Sequence, residues 1–211
     1  MKFLDRFDAA KRLLKYLLEY KDSKESIIIA LPRGGVPLGY VLAKELNLPL
    51  DIFFVKKIPS PFNEEVAIGA VSENGKLFLN KEIISLLKIS NDYIEVRAKE
   101  ILQKIKEKRE IYNLKNQEIK DKQVILVDDG IATGSTALLA IKALKDIGAK
   151  EVIVATPVAP KDSIDMLRGI AEKVIVLISP SDFISVGAYY QDFHQLDDRE
   201  VIDMLVRVNQ W

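Results

Sequence analysis

The stretch "VILVDDGIATGST", residues 124–136, decides the fold: four apolar residues run into two aspartates, then into glycine and small hydroxyl residues. A short continuous aliphatic run reads as a strand buried on both faces, as in a parallel sheet. The segment that follows, "GSTALLAIKALKDIG" (134–148), has helical spacing and ends on Gly148, a C-terminal stop. The loop between them therefore faces the unpaired N–H groups and positive dipole end of a helix. Gly130 and Gly134 permit a tight turn, and Thr133, Ser135 and Thr136 supply hydroxyl donors. That combination is a cradle for a phosphate. Asp128 and Asp129 repel a phosphate, but they can accept hydrogen bonds from two vicinal hydroxyls or hold a divalent cation. A ligand with a phosphate at one end and a diol in its middle, such as a ribose 5-phosphate, fits both halves of the loop.

The same alternation extends in both directions. Residues 5–20 predict an amphipathic helix with Asp5 as N-cap. "SIIIAL" (26–31) predicts a buried strand, "PRGGVPLG" breaks it, and residues 37–46 predict a helix with Pro37 in its first turn. Residues 50–58 predict a strand. "SPFN" is a loop, and "AIGAVSENGKLFLN" predicts two short strands around an Asn74–Gly75 turn. A long helical region follows over about 81–113, with Ile94, Ala98, Ile101, Ile105 and Ile111 on one face and "KEKRE" as a solvated outer face. Strands at 123–128, 151–158 and 173–178 alternate with helical segments, and an aromatic-rich tail ends in a helix. Such alternation predicts an α/β fold, a parallel sheet with helices on both faces. Ligands in such sheets bind at the carboxyl ends of strands, where "PRGG" and "DDGIATGST" both fall.

Composition narrows the chemistry. The 211 residues suit one domain, and 31 basic against 31 acidic residues give no bulk attraction for nucleic acid or an anionic membrane. There is no cysteine, and His194 is the only histidine, which excludes cysteine–zinc sites and argues for a packed or surface histidine. The charged N-terminus lacks a signal-peptide core and no window spans a membrane, so a cytoplasmic protein without a membrane partner is expected.

In order along the chain, "LPRGGVPLG", "KKIPSPFNEEVAIGAV", "VDDGIATGST", "ATPVAP" and "VGAYYQDF" resemble the type I phosphoribosyltransferase family, in particular a stand-alone subgroup whose acceptor is undefined. The resemblance covers nearly the whole chain. It implies the type I phosphoribosyltransferase fold over residues 1–211, with a small hood drawn mainly from residues 181–211. The activity implied is transfer of ribosyl 5-phosphate from phosphoribosyl diphosphate (PRPP) to an acceptor, with release of pyrophosphate. By the same resemblance Asp128 and Asp129 contact the ribose hydroxyls, and Ala132, Thr133, Gly134, Ser135 and Thr136 hold the 5-phosphate. Arg33, Gly34 and Gly35 grip the pyrophosphate through a loop that often carries a non-proline cis peptide. Lys57, beside Lys56, adds positive charge there. Mg²⁺ is carried mainly by PRPP, with Asp128 and Asp129 as further ligands. Phe183, Tyr189 and Tyr190, near Phe193, stand where a flat base stacks. The stretch from about 59 to 78 is the expected lid, and a homodimer is compatible with the family.

Two departures bear on the acceptor. Family members acting on hypoxanthine or guanine carry an acidic residue in the phosphate loop, where this chain has Ala132, which neither takes nor gives a proton. In "DFISVGAYYQDF", Phe183 and Asp192 also stand one residue out of register with Gly187 relative to those enzymes. Base assistance would then come from elsewhere, with Glu64 and Glu65 as candidates. A receiver domain is excluded because only 83 residues run from Asp129 to the end, and a dinucleotide fold because "PRGGVPLG" lacks G-x-G-x-x-G. The remaining alternative is a PRPP-sensing regulator without catalysis, which usually shows a basic nucleic-acid surface.

Overall fold

In the computed structural model, described for residues 2–114 and 117–208, the apolar runs at 26–31 and 124–127 lie side by side. Strand β1 (Ser26–Ala30) pairs in parallel with β6 (Gln123–Val127), from Ser26 opposite Gln123 to Ala30 opposite Val127. With β2 (Leu50–Ile52), β7 (Glu151–Val158) and β8 (Lys173–Ile178) they form a five-stranded sheet of order β2-β1-β6-β7-β8. The order reverses between β1 and β6, with β2 lying outside β1 and β7 outside β6, the switch point at which such sheets form a crevice at the carboxyl ends of the strands.

Period-two alternation decides which helices cover which face. Ile28, Ala30, Ile125, Val127 and Ile153 pack under α1 (Arg6–Leu14), α2 (Gly35–Leu46) and α7 (Asp198–Val208). Ile27, Ile29, Val124, Leu126 and Val152 pack under α5 (Ser135–Ile147) and α6 (Lys161–Arg168). Asp5 caps α1 as expected, its carboxylate accepting from the Asp8 N–H at 2.7 Å. Gly148 ends α5 with φ +101°.

Three expected elements divide. The helix over 5–20 stops at Leu14, and a 3-10 turn takes Leu18–Tyr20. The strand over 50–58 splits into β2 and β3 (Val55–Pro59), which belong to different sheets. Phe53 and Phe54 are both buried at that corner, so an apolar run that reads as one strand instead carries the chain from one layer to the next. The helix over 81–113 splits into α3 (Lys81–Leu86) and α4 (Asn91–Ile111), because Lys88 takes a left-handed conformation (φ +52°) and Ser90 caps the new helix. Ile94, Ala98 and Ile105 are buried as expected, but Ile111 is exposed. The "KEKRE" segment is not a wholly solvated face. Arg109 turns inward onto Asp51 and Glu73, and Lys108 pairs with Asp198.

Strand β3 joins β4 (Ala67–Ser72) and β5 (Leu77–Leu79) in a small antiparallel sheet, with Gly75 (φ +84°) in the turn. Ile58, Ile68 and Val71 of this sheet pack on Ile89, Ile94 and Ala98. The expected lid stretch therefore includes β4 and the start of β5, with a loop at residues 60–66 and a turn at 73–76.

The tail turns back to the N-terminus. Phe3 donates to the Tyr189 carbonyl and accepts from the Gln191 N–H, both at 2.8 Å. Residues 209–211 of the expected hood lie outside the described residues. No helix among the described residues is long and apolar enough to cross a membrane.

Candidate active site

The β1–β6 register brings the two predicted loops into contact. The Leu31 N–H donates to the Val127 carbonyl at 3.0 Å, and the peptide bond between Pro32 and Arg33 is cis. The approach is so close that side chains are excluded. A Cβ on Gly34 would lie 2.2 Å from an Asp129 carboxylate oxygen, and one on Gly35 would lie 2.5 Å from the Val127 carbonyl oxygen. The Gly35 N–H already donates to the Leu31 carbonyl at 2.9 Å, so the pyrophosphate contact expected of that amide meets an occupied donor.

The phosphate loop keeps its hydroxyls outward at the start of α5. Thr133 and Ser135 hydroxyls stand 3.2 Å apart, and Ala132, Thr133, Ser135 and Thr136 are exposed. Gly134 is buried with φ +74°, a backbone state that favours glycine, and a Cβ there would meet Met166 at 2.5 Å. Ser163 on α6 holds the loop from behind through the Ala132 carbonyl at 2.6 Å.

The acidic pair is divided. Asp128 is half-buried beside the phosphate loop and accepts from the Asp129 N–H at 2.9 Å. Burial, with the Asp129 charge next to it, pushes the Asp128 carboxyl well above the usual carboxylate range. Asp129 is buried and ion-paired: Arg6 Nε donates to its Oδ2 at 2.7 Å, with both side chains about one-tenth exposed. Burial raises the Asp129 carboxyl while Arg6 pulls it back. Arg6 in turn donates to the His194 carbonyl at 2.9 Å and lies 4.0 Å over the Phe193 ring. Arg6 was missed by sequence reasoning. Its position at the first turn of an amphipathic helix gave no sign of a partner 123 residues away.

The predicted aromatic residues separate. Tyr190 is buried between Phe3 and Phe193, at ring distances of 5.3 and 5.0 Å, and its hydroxyl donates to the Asp129 carbonyl at 2.5 Å. Its ring is packed on both sides, which corrects the expectation of a base-stacking face. Phe183 and Tyr189 stack on each other at 5.9 Å, both half-buried, in the segment whose Val186 presses on Gly130. The His194 side chain is on the surface between Asp192 and Glu200, which raise its pKa. Glu64 and Glu65 are exposed in the loop 60–66.

Arg33 is partly exposed and 3.9 Å from Asp198 at the start of α7. Asp198 also holds Lys108 and accepts from the Tyr112 hydroxyl at 2.9 Å. Lys56 shares this neighbourhood: burial, then Lys108 and Arg33, push its ammonium below the usual value. Lys57, the residue predicted for the pyrophosphate, is exposed on the same strand.

A crevice at the switch point of a parallel sheet, with a glycine loop on one side and a hydroxyl-lined helix start on the other, places the chain among doubly wound α/β proteins. The chain belongs to the phosphoribosyl transferase domain family, which matches residues 3–192. Among curated proteins, Rv0571c of Mycobacterium tuberculosis, a phosphoribosyl transferase by provisional designation, is 34% identical over 209 residues. That match takes in 98% of this chain but 47% of the relative, so the chain spans about half the length of the curated relatives it matches most fully. A hypoxanthine/guanine phosphoribosyltransferase of Methanohalophilus mahii is 22% identical over 169 residues, 79% of this chain and 70% of that protein. Among solved structures, TT1426 of Thermus thermophilus is 33% identical, covers 98% of this chain and 99% of its own, and superposes with a TM-score of 0.82.

Proposed function

We propose that this chain transfers ribosyl 5-phosphate from PRPP to an acceptor nucleophile, with release of pyrophosphate. The observation that supports the reading is the contact of the two loops at the β1–β6 switch point, where Gly34 and Gly35 lie against Val127, Asp128 and Asp129. The exposed hydroxyls of Thr133, Ser135 and Thr136 and the start of α5 bind the 5-phosphate. Asp128 accepts from the ribose hydroxyls. Asp129, held by Arg6, keeps Gly34 and the pyrophosphate loop in register. As the bond to pyrophosphate breaks, negative charge grows on the leaving group, and Arg33, with Lys56 or Lys57, stabilises it.

Among the described residues no group of three His, Cys, Asp or Glu side chains is placed to hold a metal ion. The donor set fits a Mg²⁺ carried largely by PRPP oxygens, with Asp128 as the protein carboxylate open to it. A Mg²⁺ held there would supply neutralisation of the pyrophosphate charge.

The acceptor we propose is a base other than hypoxanthine or guanine, because Ala132 leaves the phosphate loop without a proton-transfer group. Phe183 and Tyr189 are the aromatic residues left to flank it. The test is a screen of purines, pyrimidines and non-base amines with labelled PRPP and Mg²⁺. Turnover of one non-6-oxopurine acceptor is expected. Efficient turnover of hypoxanthine or guanine refutes the acceptor assignment, and tight PRPP binding with no turnover of any acceptor selects the non-catalytic PRPP sensor instead.

A further inference from the structure

The chain carries 31 basic and 31 acidic residues, yet one groove has a charged lining that is entirely cationic. It runs between β3 and α4, encloses about 460 Å³, and is lined by Lys56, Lys57, Arg97, Lys104 and Lys108. Phe54, Ile101 and Ile105 give it an apolar floor. Two of the cations have carboxylate partners, Arg97 with Glu100 and Lys108 with Asp198, and neither carboxylate lines the groove. Lys56, Lys57 and Lys104 have no ion-pair partner among the described residues. Arg97 Nε is buried and lacks an acceptor among them.

Solvated lysines on a convex surface would need no explanation. Here the cations come from two elements, converge on a concavity and share its apolar floor. Like charges gathered in this way repel: Lys108 adds to the larger effect of burial in lowering the Lys56 ammonium. A neutral composition does not force that arrangement. A concave cluster of one sign focuses its field on an incoming polyanion, which is the ligand that would relieve the repulsion.

We propose that the groove between β3 and α4 is a second polyanion site, built for a ligand with two or more linked phosphates and a small apolar or planar part. It shares Lys56 and Lys57 with the transferase reading but goes beyond it, because Arg97, Lys104 and Lys108 have no part in the proposed transfer and belong to neither the 31–35 loop nor the 128–136 loop. The chemistry admits a nucleoside polyphosphate or an inorganic polyphosphate.

The test is calorimetric titration of the full chain with tripolyphosphate, and separately with ribose 5-phosphate. Arg97→Ala/Lys104→Ala is expected to weaken tripolyphosphate about tenfold or more, the loss of charge-assisted contacts, and to leave ribose 5-phosphate unchanged. Thr133→Val/Ser135→Ala is expected to do the reverse, so a failed phosphate cradle and a failed groove give different patterns. Lys21→Ala/Lys24→Ala removes the same charge from an exposed turn and controls for net charge. Titration with ATP and adenosine separates the two ligand sources: ATP binding more tightly than tripolyphosphate assigns a nucleotide, and equal affinity assigns an inorganic polyphosphate. The proposal is overturned if tripolyphosphate does not bind the wild-type chain. It is equally overturned if the Arg97→Ala/Lys104→Ala chain, with an unchanged thermal melt, binds tripolyphosphate as tightly as the wild type, or loses no more than the turn control.

Discussion

Replacing Arg6 by methionine tests whether the ion pair to Asp129 organises the site. Both side chains are about one-tenth exposed and the contact is 2.7 Å, so the variant keeps the aliphatic stem but leaves a buried carboxylate without its partner. Breaking a buried pair in this way costs about 3–5 kcal/mol. For a domain of this size that lowers Tm by about 6–20 °C. The loss also depends on pH with a defined sign. Burial already raises the Asp129 carboxyl, and Arg6 is the main influence lowering it, so its removal raises the folded-state value further. A carboxyl raised on folding contributes stability that is present below its unfolded value and lost as pH rises through its folded value. The deficit of Arg6→Met relative to wild type should therefore be small near pH 4 and reach its full size by neutral pH. Calorimetric melts across this range, with Asp129→Asn and the Arg6→Met/Asp129→Asn double variant completing a cycle, measure the pairwise part. An equal deficit at both ends of the range, or no coupling in the cycle, would refute the reasoning.

Thr133→Val/Ser135→Ala should impair ribose 5-phosphate and PRPP binding alike, whereas Arg33→Ala should impair PRPP and pyrophosphate more than ribose 5-phosphate; equal loss of all three ligands in Arg33→Ala would contradict the division between the loops. Asp128→Asn should weaken PRPP by about 1.5–3 kcal/mol in calorimetry without lowering Tm, since burial and the Asp129 charge already disfavour its carboxylate, while Asp129→Asn should lower Tm. Glu73, half-buried beside Arg109 and Asp51, is raised to about 7 by burial, so its own contribution to stability is present below about pH 4.5 and is lost, by roughly 3 kcal/mol, as pH rises through 7. Glu73→Gln should flatten that slope in denaturant titrations, and an unchanged slope would remove Glu73 as its source.

The core strand positions and both loops were legible because they rest on local rules. Continuous aliphatic runs gave β1, β6 and β7, and helix-start and helix-stop residues placed α5 between Gly134 and Gly148. What stayed hidden depends on tertiary packing. The run from Leu50 to Ile58 is uniformly strand-like, and nothing in its periodicity says that Phe53 and Phe54 carry it from one sheet to another. Lys108 and Arg109 read as part of a solvated charge run, because the acids that draw them inward, Asp198, Asp51 and Glu73, are remote in sequence. Tyr190 read as a stacking face, since an aromatic residue in a tail does not reveal whether its ring will be open or enclosed.

The division of labour within the acidic pair follows from a rule simpler than any motif. Successive side chains of a strand point to opposite faces, and the chain keeps that alternation for the first residues beyond β6. Val127 faces the layer of α1 and α2, while Leu126 faces the layer of α5 and α6. Asp129 continues the Val127 face, and there it meets Arg6 of α1 and the bare backbone of Gly34. Asp128 continues the Leu126 face, toward the helix whose start carries the phosphate-loop hydroxyls. Two adjacent carboxylates on one ligand would repel each other. The two carboxyls nonetheless remain in direct contact, so they act as one electrostatic unit in which Arg6 neutralises Asp129 and the Asp128 carboxyl takes the upward shift. The adjacency that made the sequence look doubly acidic is what lets a single arginine of α1 act on both carboxyls at once.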